Sequence, residues 1–322
     1  MQQESMYIHT DLAMELQEEM ERRNGMCGRE TERSSGNGIT VRKGKKGKLK
    51  EIIITVENEE GERLLGKPRG VYITLESEDL ADNDGEYHEE MSVLLAKHLE
   101  KLLGKHRNVL VAGLGNREVT PDALGPLAVQ NLFITKPLRD REGLKRMRLS
   151  TAVAPGVMAQ TGMETGEILR GIIDRTRPEV MIVIDALAAK NPARLTKTIQ
   201  ICYTGIAPGA GVGNGRREIS RSTMGIPVIA VGVPTVISIP AVAGDILSAI
   251  LPFAVEGKHD PAPFSGWSEQ EQYQFLAAHL PEDLFGLFVT PKEIDESVKR
   301  ISYTISEGIN RMIAGAVDTL CR

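Results

Sequence analysis

Several features that mark whole classes of protein are scarce in this sequence. Its three cysteines, Cys27, Cys202 and Cys321, are odd in number and far apart, so they supply neither a disulfide framework nor a C-x-x-C metal pair. A reducing interior is expected, and Cys202, inside an apolar strand-like run, reads as an inert buried thiol. Aromatic residues make up only 4%, with a single Trp, which leaves little from which to build stacking surfaces for nucleic acid or sugar. No apolar run reaches the roughly 18 residues of a membrane helix, and the first twenty residues lack a basic stretch followed by an apolar one, so neither a span nor export is expected. Charge of one sign is absent too: 39 Lys and Arg against 44 Asp and Glu leave a net charge of −5, which argues against a dedicated nucleic-acid binder. No G-x-S-x-G elbow occurs, and no H-E-x-x-H or close His pair, so a serine hydrolase of that type and a zinc site are both unsupported.

What remains is an ordinary globular composition, with 41% hydrophobic and 26% charged residues over 322 positions, enough for one large or two modest domains. Leu12, Leu16 and Met20 recur at helical spacing and predict a short peripheral helix near the N-terminus. Residues 27–50, ending in RKGKKGKLK, read as a mobile surface connection. EIIITVE (51–57) and GVYITLES (70–77) are β-branched runs that predict paired strands, and 86–103 predicts a helix with His98 at the edge of the core. From residue 107 the rhythm changes. RNVLVAG (107–113), RLSTAVA (148–154), EVMIVIDAL (179–187) and IPVIAVGVP (226–234) are short, wholly apolar and alternate with helical patterns, including 164–175 and a helix after Pro240. Such strands are buried on both faces, so the fold class is α/β, a mostly parallel sheet with helices on both faces. Thr290, Pro291 and Glu293 predict a capped start for a helix running to 313.

In an open parallel sheet, ligands meet the loops at the carboxyl ends of the strands. Strand 107–113 runs into GLGNREVTPDALGP (113–126), whose central carboxylate is Asp122. The apolar run 179–184 ends in Asp185. A carboxylate there needs a hydrogen-bond partner, a metal, or a second acid with which to share a proton. If the two strands are neighbours, Asp122 and Asp185 face one crevice and can do general acid–base work on water. Asp122 also has a structural reading, as a first-turn helix residue; Asp185 has one less readily, since strand-end acids in α/β folds are often ribose or metal ligands instead. GLGN (113–116) begins a dinucleotide fingerprint without completing it, and the Gly-rich loop 204–215 lacks the Lys-Ser/Thr ending of a phosphate loop. A metal-dependent hydrolase and a nucleotide-binding module therefore stand as alternatives to an acid-pair hydrolase.

Six stretches, in order, carry a resemblance to a known family: NVLVAGLGNREVTPDALGP (108–126), VAPGVMAQTGMET (153–165), IVIDALAA (182–189), QICYTGIAPGAGVGNGRREIS (200–220), GIPVIAVGVPTV (225–236) and VTPKEID (289–295). On these the chain resembles the spore germination proteases, atypical aspartic-type endopeptidases that degrade small acid-soluble spore proteins. The resemblance implies a fold similar to hydrogenase-maturation proteases, with an extra β-rich or loop insertion. It implies Asp122 and Asp185 as the catalytic pair, with no metal or other cofactor carried over. It also implies a zymogen that removes a short propeptide, here residues 1–10, by cutting between Thr10 and Asp11 in HTDLAME (9–15). Residues 11–322 would then form one protease domain with an N-terminal extension (11–67) and a variable insert (256–285). Gly113, Gly115, Asn116, Arg117, Gly209, Gly211 and Gly213 are the candidates for positioning substrate. The same resemblance implies small acid-soluble spore proteins as partners, neither membrane nor nucleic-acid contact, a homotetramer, and a cytoplasmic place in the spore core.

Overall fold

Apolar strands that must be covered on both sides organise this chain around one sheet. The computed structural model describes residues 10–23, 33–81, 85–142, 144–209, 216–256, 271, 275–276 and 278–315. In chain order these form α1 (Ala13–Arg23), β1 (Arg33–Gly36), β2 (Ile39–Lys46), β3 (Leu49–Val56), α2 (Glu59–Leu65), β4 (Gly70–Glu76), α3 (Gly85–Leu103) and β5 (Asn108–Gly113). There follow α4 (Leu124–Gln130), β6 (Leu149–Val153), α5 (Met158–Thr161), α6 (Thr165–Thr176), β7 (Val180–Ala189), β8 (Thr198–Cys202) and α7 (Arg221–Met224). The last are β9 (Val228–Ser238), α8 (Ile239–Glu256), α9 (Glu282–Phe285), β10 (Phe288–Val289) and α10 (Ile294–Ala314).

The strand order is β1-β2-β3-β4-β8-β9-β7-β5-β6, with β10 also on β9. The α/β fold with helices on both faces is as expected, and the sheet is mixed. Its parallel part is β6-β5-β7-β9, and the antiparallel β8 joins it to the meander β1–β4. One face packs Leu95 and Leu99 of α3, Leu124 of α4 and Ile301, Ile305 and Ile309 of α10 against Val109, Ile182 and Val231. The opposite face is covered by Ala13 and Met14 of α1 and by Leu169 and Ile173 of α6.

Four expectations are corrected. Residues 39–46 are not a mobile connection: every residue of β2 pairs with β3, and the turn falls at Gly47–Lys48. Ile39 and Val41 anchor the strand in the core, while the ladder satisfies the backbone beneath the solvated lysines. The N-terminal helix is not peripheral, because Leu12, Ala13 and Met14 are buried where the chain enters it. Thr290 does not cap the last helix, which starts at Ile294; its hydroxyl donates instead to the Thr235 carbonyl of β9 at 2.7 Å. Finally, β7 does not stop before Asp185 but continues to Ala189. Residues 1–9 and most of 257–277, within the expected propeptide and insert, lie outside the described residues.

Candidate active site

Asp185 owes its position to a change of neighbours along β7. The β5 partner ends at the Gly113–Ile184 pair, whereas β9 continues beside β7 from Met181 to Ala189. Asp185 is therefore the first residue of β7 past the end of β5, flanked on one side by Gly232 of β9. Only 6% of it is exposed, and its Oδ1 accepts the Ala186 N–H at 3.0 Å.

Asp122 reaches the same place from the loop that leaves β5. The Val119 N–H donates to the Asn116 carbonyl at 3.1 Å, and the Asp122 N–H to the Val119 carbonyl at 2.8 Å, so the loop winds back on itself. The Asn116 N–H then donates to Asp122 Oδ2 at 2.6 Å. The wrap needs a glycine at 115, where φ is +108° and a Cβ would collide with the Asp122 carbonyl oxygen. Asn116 is held in turn, its Oδ1 accepting from the Glu118 N–H at 3.0 Å and from Gln160 Nε2 at 2.8 Å.

Electrostatics tie the two acids together. Burial is the main cause that raises the Asp185 pKa well above the usual carboxylate range, followed by the negative charges of Asp122 and Asp11. Asp122 is also raised, again mainly by burial, with the Asn116 N–H pulling the other way. Arg216 opposes the rise at both carboxyls, so one guanidinium serves the pair. Among the described residues, no group of three or more His, Cys, Asp or Glu is arranged to hold a metal ion.

The segment Thr10–Met14 crosses this region. Asp11 exchanges two hydrogen bonds with β7, its N–H donating to the Ala188 carbonyl at 3.2 Å and its Oδ2 accepting the Ala188 N–H at 2.9 Å. The Asp11 carbonyl accepts from Gln200 Nε2 at 2.9 Å and from Lys67 Nζ at 3.2 Å. Thr10 turns its hydroxyl onto Glu15 and accepts the Leu12 N–H at 3.1 Å. A cavity of about 240 Å³ opens beside this segment, lined by Asp11, Lys67, Gln200, Leu187 and Gly232.

The other sequence candidates separate. Gly113 lets α4 sit against β5, since a Cβ there would strike the Gly125 carbonyl. Arg117 is exposed and reaches outward to Gln130 of α4. Gly209 lies in the turn at the foot of the Gly-rich loop, where the Arg216 N–H closes onto the Pro208 carbonyl at 3.2 Å; Gly211 and Gly213 lie outside the described residues. Three residues near the acids were not singled out from the sequence: Arg216, Gln200 and Lys67. The signal for Arg216 is its place at the exit of the glycine run. For Gln200 it is one amide in the apolar strand T-I-Q-I-C.

Fold and site together define an α/β protein with a buried carboxyl, Asp185, and a half-buried one, Asp122, at the carboxyl ends of adjacent parallel strands. The family model for germination protease matches residues 13–264. The chain is 39% identical to the germination protease of Caldanaerobacter subterraneus subsp. tengcongensis, over 94% of this chain and 93% of that one. It is 37% identical to that of Clostridium tetani, over 97% of each, and 35% identical to that of Bacillus subtilis, over 94% and 92%. The chain belongs to the germination protease family and is a peptidase. A solved structure of the [NiFe] hydrogenase maturation protease HycI from Thermococcus kodakarensis KOD1 aligns with 66% of this chain and 98% of its own, at 15% identity and a TM-score of 0.31.

Proposed function

We propose that this peptidase hydrolyses peptide bonds with Asp122 and Asp185 acting as one acid–base pair. The observation that supports it is the mutual placement of the carboxyls: the charge on Asp122 raises Asp185, as expected for two acids that hold one proton between them. In this reading the ionised carboxyl takes a proton from water as the water oxygen bonds to the scissile carbonyl carbon. The protonated carboxyl polarises the carbonyl oxygen, and the tetrahedral adduct collapses as the leaving nitrogen receives a proton. Asp122→Asn and Asp185→Asn should each lower kcat/KM about 10²–10⁴-fold while the far-UV circular dichroism is unchanged. Wild-type turnover by either variant would end the proposal.

The same reading makes the chain an endopeptidase produced as a zymogen, acting on small acid-soluble spore proteins in the spore core, and assembled as a tetramer. Processing is assigned to the Thr10–Asp11 bond on sequence resemblance. The two donors on the Asp11 carbonyl favour the next bond, Asp11–Leu12, as a second reading. N-terminal sequencing separates them, since the new terminus is Asp11 in the first case and Leu12 in the second; a terminus elsewhere rejects both. Sedimentation equilibrium should return four times the chain mass, and a monomer at micromolar concentration would reject the tetramer.

A further inference from the structure

Gln200, Gly232 and Asp185 are register partners on three adjacent strands. Paired residues project to the same face of a sheet, and adjacent strands lie about 4.8 Å apart, so Gln200 and Asp185 stand roughly 10 Å apart on one face. Between them Gly232 has no side chain. The next residue of β7 on that face, Leu187, packs so closely over it that a Cβ at 232 would lie 2.6 Å from Leu187 Cγ. The row is thus an acid, a glycine covered by Leu187 and an amide.

A backbone already lies against the amide of Gln200. Gln200 Nε2 donates to the Asp11 carbonyl at 2.9 Å, and its Oε1 accepts the Ala13 N–H at 2.6 Å. The Asp11 carbonyl and the Ala13 N–H bracket the entry into α1; in an extended substrate the C=O of one residue and the N–H two residues on also point to the same side, so a single residue can read both. A carboxamide offers one donor and one acceptor side by side, as a peptide unit does. Gln200 is 7% exposed, at the centre of the sheet, and its amide is used in full by this one segment. Lys67, just past α2, adds a third contact by donating to the Asp11 carbonyl at 3.2 Å.

We infer that Gln200 is the residue that reads the backbone of the substrate, with Lys67 beside it, and that residues 11–13 occupy in cis the track a substrate strand takes in trans. This rests on the acid-pair reading above, since it is Asp185, two strands away on the same face, that would act on the chain so held. Gln200 sets the position of the strand through its main chain and is indifferent to side chains, so it acts on every substrate sequence alike. It is a substrate-positioning residue for the reaction, and its amide carries no proton in the chemistry.

The test uses the processed protein, in which a peptide must displace what remains of residues 11–13 from Gln200, and a peptide of sequence MYIHTDLAMEL, residues 6–16 of this chain. A second peptide carries an ester in place of the amide whose N–H belongs to the Ala13 position, and a third has the ester one residue later, at Met14. The wild type should lose about tenfold in kcat/KM on the Ala13 ester and much less on the Met14 ester. Gln200→Met should lose about tenfold on the amide peptide and show no further loss on the Ala13 ester. Equal penalties for the two esters in the wild type overturn the inference, and that comparison needs no variant to fold. An Ala13-ester penalty in Gln200→Met as large as in the wild type overturns it as well. Asp185→Asn is the separate control. If it cleaves the amide peptide as the wild type does, or if the wild type leaves it intact, the acid-pair reading itself falls. If Asp185→Asn is inactive and the ester pattern is absent, only the role of Gln200 falls.

Discussion

Gly115 is the residue on which the position of Asp122 turns. At φ +108° an L side chain is strained whatever the space around it, and here the space is taken by the carbonyl and carboxyl of Asp122 itself. Gly115→Ala must either open the loop or push Asp122 away from the Asn116 N–H that holds it. The expected result is a loss of about 1–3 kcal/mol in denaturant unfolding, together with a fall in peptide cleavage comparable to that of Asp122→Asn. Retained cleavage at lowered stability would mean that the carboxyl finds its place without the wrap. The two acids were legible in the sequence because one interrupts an apolar strand run and the other is the central carboxylate of the loop that leaves a second such run. Arg216 and Gln200 were not, because an arginine after a glycine run and a lone glutamine in a strand acquire meaning only when the strand order brings them to the same crevice.

At the level of elements, α1 is docked by the carboxylate of Glu15 as well as by its buried apolar residues. Glu15 is 4% exposed, and it accepts the Lys190 N–H at 2.9 Å and the Asn191 N–H at 2.8 Å, both in the turn that follows β7. Burial raises its pKa, and the Thr10 hydroxyl and these two N–H groups pull it back. Lys190 reaches Glu19 at 3.0 Å and Arg194 reaches Glu18 at 2.6 Å, which brings two more carboxylates of α1 to the same turn. Glu15→Ala removes two half-buried hydrogen bonds to a carboxylate, at a cost of about 1–3 kcal/mol. Hydrogen exchange at residues 190 and 191 should accelerate with it, and unchanged exchange there would show that α1 is held by its apolar residues alone. The sequence-level view of a peripheral helix missed this contact because Glu15 looks like any solvated charge until the turn at 190 is beside it. The β2 lysines misled in the opposite way. Their charge suggested a loop, yet a strand tolerates charge wherever one side faces water, and lysines along such an edge discourage further pairing.

Across the whole molecule, an acid buried at the middle of the sheet works against the fold it depends on. The raised pKa of Asp185 means that the folded state holds its proton more tightly than the unfolded chain, whose value is near 3.8. Its favourable contribution is complete below that value and disappears as pH rises through the raised one. Above that raised value the cost of the charge is borne by the rest of the structure. Asp185→Asn should therefore melt at a higher temperature than the wild type at pH 7, with a gain of about 1.4 kcal/mol for every tenfold by which folding tightens the hold of Asp185 on its proton. The difference should shrink as the pH is lowered towards 4. Calorimetry over that range checks it, and a variant less stable than the wild type at pH 7 would contradict the sign.

The alternation of apolar strands with helices, and the two acids that follow strand runs, were determined by the sequence alone, because burial on both faces of a sheet and the cost of a buried carboxylate leave a local mark. Tertiary structure decided the rest: that β8 inserts antiparallel between β4 and β9, that Gly232 separates an amide from an acid across three strands, and that Asp11 lies in the same crevice as residues more than a hundred positions away. Those arrangements depend on strand order and register, which arise from the packing of the whole core and leave no periodicity in any one segment.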